Sequence, residues 1–159
     1  MKFQHELRYD ASPEEVRAML SDAMFREQVC EAQHVTECTV EIDEVDGSMS
    51  VRVDQHRPAD RIPGFAKKFV GDEIHIVQTE EWSSATDAKL DVGIPGKPGH
   101  LKGTITLRPE GSGTVETVAG ELKVSIPMVG GKLEKLVADL LTEALEAEQR
   151  VGKAWLAEG

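Results

Sequence analysis

GGKLEKLVADLLTEALEAEQRVGKAWLAEG, residues 130–159, decides the fold of this chain. Leu133, Leu136, Val137, Leu140, Leu141, Ala144, Ala147, Val151 and Trp155 recur at intervals of three and four, the spacing of one apolar helix face. Glu134, Lys135, Asp139, Glu143, Glu146, Gln149, Arg150 and Lys153 fill the other face. A helix of about 27 residues spans about 40 Å at 1.5 Å per residue. At the end of a strand-rich chain, such a helix needs a large apolar surface to cover. A curved sheet gripping it supplies that surface, and the geometry leaves room for a cavity between the two.

The preceding residues read as that sheet. Lys2–Tyr9 alternates, with Phe3, His5, Leu7 and Tyr9 on one side. Ser12-Pro13-Glu14-Glu15 then carries an N-cap, a proline suited to the first helical position and a capping-box glutamate. Asp22 opens a second short helix containing Met24, Phe25, Val29 and Ala32. Thr36–Val45 alternates again and meets Asp46-Gly47, a type I′ hairpin signal. A two-residue turn there pairs Val45 with Ser48, Ile42 with Val51 and Val40 with Val53. Val40, Ile42, Met49, Val51 and Val53 therefore share a face.

Arg57–Asp72 breaks the alternation, yet it holds Ile62, Phe65, Phe69 and Val70, so it is expected to pack over an opening of the sheet. Strands follow at Glu73–Trp82, Lys89–Ile94, His100–Arg108 and Thr114–Val124, joined by short turns. This order predicts an α+β fold, one domain over residues 1–159. Two short helices follow the first strand, and a curved antiparallel sheet of six to seven strands surrounds the long C-terminal helix.

Composition narrows the function classes. Acidic residues number 29 against 18 basic ones, a net charge of −11. Nucleic-acid binding needs a basic footprint that this chain lacks, and adsorption to anionic lipid is disfavoured for the same reason. The N-terminus shows no signal-peptide apolar region, and no run approaches the roughly 18 residues of a membrane span. The expectation is a cytoplasmic protein, monomer or homodimer, without stable membrane insertion. Cys30 and Cys38 have no metal-ligand spacing and read as thiols in a reducing compartment.

No recognisable catalytic set appears. The five histidines are scattered without an i,i+4 pair or HExxH, so neither a metal nor a cofactor is expected, although His5 and His75 could face the interior from their strands. A nucleophile elbow, a P-loop and a GxGxxG turn are all missing. The most informative constellation is Ile74, Ile76, Gln78, Glu80 and Trp82 on one strand face. If that face points inward, a Gln and a Glu enter an apolar interior and need partners, water or a ligand. A twist or bulge would instead turn Glu80 to solvent, and Val77 on the opposite face makes the alternation imperfect. Arg57, Asp60 and Arg61 flank the covering segment, either as a salt-bridged loop or as a hold on a ligand's acidic head. Aromatic residues are only 4% of the chain, which is compatible with an incompletely filled interior.

The chain resembles the START/SRPBCC superfamily of polyketide cyclases and lipid-transfer domains, in a branch of small proteins of uncharacterised function. The resemblance rests on Tyr9-Asp10-Ala11-Ser12-Pro13-Glu14-Glu15-Val16, on Glu81-Trp82, and on Ile126-Pro127-Met128-Val129-Gly130-Gly131-Lys132-Leu133-Glu134 opening the last helix. Carbon-monoxide-dehydrogenase G-subunit-like relatives open that helix in a similar way. The resemblance implies the helix-grip fold and a ligand cavity, and it does not fix a function. The resulting expectation is a small apolar ligand, lipid- or polyketide-like, bound or transported between sheet and helix. Val40, Ile42, Val53, Ile76, Trp82, Leu136 and Leu140 are the expected lining, Phe65 and Phe69 a lid, and Glu80 a polar anchor. The alternatives are a cofactor-free enzyme of the cyclase or aromatase type, with Glu80 or a strand histidine as acid-base, and a structural or partner-binding module.

Overall fold

The closing helix, α4, runs from Gly130 to Ala157 in the computed structural model, which describes residues 1–158. Before it come β1 (Lys2–Tyr9), α1 (Pro13–Leu20), α2 (Ala23–Ala32), β2 (Glu37–Val45), β3 (Ser48–Pro58), α3 (Gly64–Val70), β4 (Glu73–Trp82), β5 (Asp87–Gly93), β6 (Gly99–Glu110) and β7 (Gly113–Val124). All seven strands form one antiparallel sheet in the order β1-β7-β6-β5-β4-β3-β2. The first two strands in sequence are thus the two edges, and α1 and α2 carry the chain from one edge to the other.

Local chemistry explains the elements that position the interior. Ser12 caps α1 by accepting from the Glu15 amide, while the Glu15 carboxylate accepts from the Ser12 amide, the reciprocal capping box. Asp22 caps α2 through the Met24 amide. Asp46 and Gly47 adopt φ values of 47° and 84°, as a type I′ turn requires, and the β2–β3 register is the one expected from that turn. The segment after β3 is not irregular throughout: Gly64–Val70 forms the helix α3.

Alternation along every central strand places the apolar set on the face that carries the helices. Met49, Val51, Val53, Trp82, Ala88, Leu90, Leu101, Ile105, Leu107, Val118 and Leu122 join Phe3, Leu7, Tyr9 and residues of α1 and α2 in one buried cluster. The strands β6 and β7 face each other through the pair Gly103–Gly120, where neither residue carries a side chain. A Cβ on Gly120 would lie 2.8 Å from the Gly103 Cα and strike the Lys102 backbone. Gly152 of α4 does the same for Tyr9, whose ring occupies the space a side chain would need. α4 makes its main contacts with β1, β7, α1 and α2. Its first half faces the middle of the sheet across a gap.

Candidate functional site

That gap is a cavity of about 510 Å³. Leu133, Leu136, Val137, Leu140 and Leu141 of α4 form one wall. Ile74 and Ile76 of β4, Val92 of β5, Leu101 of β6 and Leu122 of β7 form the opposite one. Ala66, Phe69 and Val70 close it from α3. The lining residues Arg61, Lys97, Pro98, His100 and Glu143 are exposed, so the cavity opens to solvent between α3, the β5–β6 loop and α4.

A second space of about 80 Å³ adjoins the first and shares Gln33, Arg57, Ile76 and Leu141 with it. Its character is different. Arg26, Gln55, Gln78, Glu80, Glu116 and Glu148 all contribute to its walls. Arg26 and Glu80 form a bidentate ion pair with N–O distances of 2.8 and 2.9 Å, and Glu80 is 1% exposed. Arg26 Nε also donates to the Leu20 carbonyl oxygen at 2.9 Å. Glu80 further accepts from Trp82 Nε1 at 2.9 Å and Gln78 Nε2 at 2.6 Å. Burial alone would raise the Glu80 pKa, but the Arg26 charge and these hydrogen bonds outweigh it and hold the carboxyl below the ordinary range. Burial likewise works against the Arg26 charge, and Glu80 more than offsets it.

Glu116 and Glu148 have no such partner. Burial, with the nearby Glu148 and Glu80 charges, pushes Glu116 well above the usual carboxylate range. One Glu116 oxygen is buried without any hydrogen bond, as is an oxygen of Gln55. Burial pushes Glu148 up to about 7, the attraction of Arg26 opposing and the repulsion of Glu80 adding. The recess therefore holds an ionised pair beside two carboxyls that burial pushes upward, Glu148 to about 7. Such an arrangement can donate and accept hydrogen bonds toward a polar group in a largely apolar site.

Arg57 stands where the two spaces meet. It donates to the Gln33 carbonyl oxygen at 3.1 Å and has no carboxylate partner among the described residues. Burial, then the neighbouring Arg61, lowers its pKa. Arg61 itself pairs with Glu143 at 3.5 Å at the opening.

The residues expected at the site divide accordingly. Phe69, Ile76, Leu136 and Leu140 line the large chamber, and Glu80 lines the recess. Val40, Ile42, Val53 and Trp82 belong to or pack against the core cluster and lie outside both walls. The cavity occupies one end of the sheet, whereas Trp82 sits at the other, beneath the Arg17 guanidinium. Phe65 also lies outside, with Lys132 Nζ 4.2 Å from its ring centroid. Glu80 does not turn to solvent, and His75 faces outward rather than inward. Sequence reasoning missed Arg26, Glu116 and Glu148. Glu148 was legible as the charged residue midway between Leu141 and Trp155 on the apolar stripe of α4, and Glu116 as the charged residue between Thr114 and Val118 on an inward face.

A seven-stranded antiparallel sheet closed by a long C-terminal helix, with two short helices after the first strand and a cavity under the closing helix, is a helix-grip architecture. The chain belongs to a family described as a protein of unknown function, DUF2505, which matches residues 4–156. The uncharacterized protein Rv0481c of Mycobacterium tuberculosis H37Rv is 27% identical, over 93% of this chain and 92% of that one. A START superfamily protein from Mycobacterium smegmatis superposes with a TM-score of 0.62 at 18% identity, over 94% of this chain and 96% of that one. The di-domain ARO/CYC StfQ from the steffimycin biosynthetic pathway gives 0.67 at 15% identity, over 99% of this chain and 51% of that one. At these identities the two structures speak for the fold alone. No helix among the described residues is long and apolar enough to cross a membrane.

Proposed function

We propose that this protein binds a small molecule with an apolar body and one polar end. The observation that carries this reading is the change of character between two spaces that share wall residues. An apolar chamber of about 510 Å³ adjoins a recess walled by Arg26, Glu80, Glu116 and Glu148. The chamber has the size and lining of small-molecule sites, and the few polar groups converge at its inner end. A hydroxyl entering the recess would donate to the unpaired oxygen of Gln55 or of Glu116. An acidic group on the ligand would meet Arg57 at the junction, the guanidinium that lacks a carboxylate partner there.

The test combines a binding assay with a variant that fills the chamber. An apolar fluorescent dye and a panel of hydroxylated and carboxylated fatty acids and polyphenols are titrated into the protein, with emission and melting temperature as readouts. Binding at 100-fold above Kd stabilises the fold by about 2.7 kcal/mol, an easily measured rise. Leu140→Trp should abolish both signals while leaving the unliganded melting temperature close to that of the parent. Absence of any saturable signal, or a signal that Leu140→Trp leaves intact, overturns the proposal.

A catalytic reading draws support from Glu148 rather than from Glu80. The Glu80 carboxyl is held ionised by Arg26, whereas a carboxyl near 7 suits general acid–base work. In a cyclase or aromatase assay on a poly-β-ketone, Glu148→Gln would then remove turnover and retain binding. Turnover equal to that of the parent excludes Glu148 as the acid–base group.

A further inference from the structure

The outer face of the sheet carries a cluster that the cavity does not use. Asp54 and His56 lie two apart on β3 and so point the same way, and β3–β4 pairing sets His75 directly across from His56. Ligand atoms of these three residues all lie within 4.8 Å of one another. His75 Nε2 is 2.7 Å from Asp54 Oδ1, and His56 Nε2 is 4.0 Å from the same oxygen. The other nitrogen of His56, Nδ1, is 2.9 Å from a Glu73 carboxylate oxygen. That contact orients the ring and leaves Nε2 toward Asp54, as outer carboxylates do for metal-bound histidines. The three side chains are 29–36% exposed, so an ion reaches them from solvent.

We propose that Asp54, His56 and His75 form a binding site for a divalent transition cation of the zinc, copper or nickel class. Two imidazoles and one carboxylate are the donor set such ions prefer, and calcium or magnesium would not select it. Tetrahedral zinc with bonds of about 2.0–2.1 Å places its ligand atoms roughly 3.4 Å apart, between the two separations found here. The rings are now stacked, with centroids 4.3 Å apart and planes at 4°. In-plane lone pairs of parallel rings do not converge, so binding requires the two rings to splay toward one point. Three protein ligands leave one position for water or for a group from another molecule. The site lies on the back of the cavity wall, since Gln55, between Asp54 and His56, points into the recess.

Zinc chloride is titrated calorimetrically into the untagged full-length chain in a non-chelating buffer, with cobalt absorption in the visible as a second readout. The expected result is one ion per chain with micromolar affinity and a four-coordinate cobalt spectrum. His56→Ala and His75→Ala should each weaken zinc binding at least roughly 100-fold, and Glu73→Gln roughly tenfold, as loss of a ligand and of its outer partner imply. His5→Ala should leave it unchanged. Unaltered thermal melts without metal establish that the variants fold. No saturable binding, or binding that persists in both His56→Ala and His75→Ala, overturns the site.

Discussion

Replacing Glu148 by glutamine should remove a pH-dependent penalty from the folded state. The Glu148 carboxyl is displaced from 4.5 to about 7, chiefly by burial. Between those values the native protein holds a proton that the unfolded chain has released. Stability is therefore greatest below the unfolded pKa and is lost progressively as pH rises to the folded value, beyond which the loss is complete. At 1.36 kcal/mol per pKa unit the full displacement is worth about 3 kcal/mol, of which roughly 2–3 falls between pH 5 and pH 8. Glu80 does not blur this window. Its pKa is depressed, so its stabilisation is present above the ordinary carboxylate value and lost only as pH falls below it. Glu116 shifts in the same direction as Glu148, and its largest cause, burial, survives the substitution. Urea unfolding of parent and Glu148→Gln at pH 5 and pH 8 measures the difference. The variant should gain about 2–3 kcal/mol on the parent between the two pH values. Equal pH dependence in the two proteins would refute the assignment of Glu148 as a raised, buried carboxyl.

Two further outcomes concern stability. Glu80→Ala leaves Arg26 buried without its partner and should cost about 3–5 kcal/mol in urea unfolding, while the double change Arg26→Met, Glu80→Leu recovers most of it; a single-variant loss below about 1 kcal/mol would contradict a buried pair. Gly120→Ala drives a Cβ into the Lys102 backbone and should destabilise by about 3 kcal/mol, the upper end of overpacking costs, whereas a shift under about 0.5 kcal/mol would mean that the two strands can separate there.

Much of the fold was legible because local rules and the apolar pattern agree. The capping box at Ser12, the Asp46-Gly47 turn and the three-four periodicity of α4 each name one structure without reference to the rest of the chain. Alternation on β4 put Ile74, Ile76, Gln78, Glu80 and Trp82 on one face and left open whether Glu80 turns inward, which the buried Arg26 pair decides. Alternation reports a face, however, and says nothing of position along it. Val40, Ile42, Val53 and Trp82 point inward as expected, yet they meet α1, α2 and one another in the core, at the filled end of the sheet.

The sequence by itself determined the element order, the hairpin register and the amphipathic helix that the sheet must cover, because each depends on residues close together in the chain. Only the tertiary structure decided what the interior contains. Arg26 and Glu80 are 54 residues apart and meet because α2, packed against α4 and β2, carries the Arg26 side chain to β4. Glu116 and Glu148 face one recess because α4 packs across β7. His56 and His75 stand together only through the β3–β4 register, which no local turn prescribes. The stand-off between the first half of α4 and the middle of the sheet is likewise a property of packing. The leucines that would fill a core and those that line a cavity carry the same periodicity, and the space between them depends on where α1, α2, β1 and β7 hold the helix.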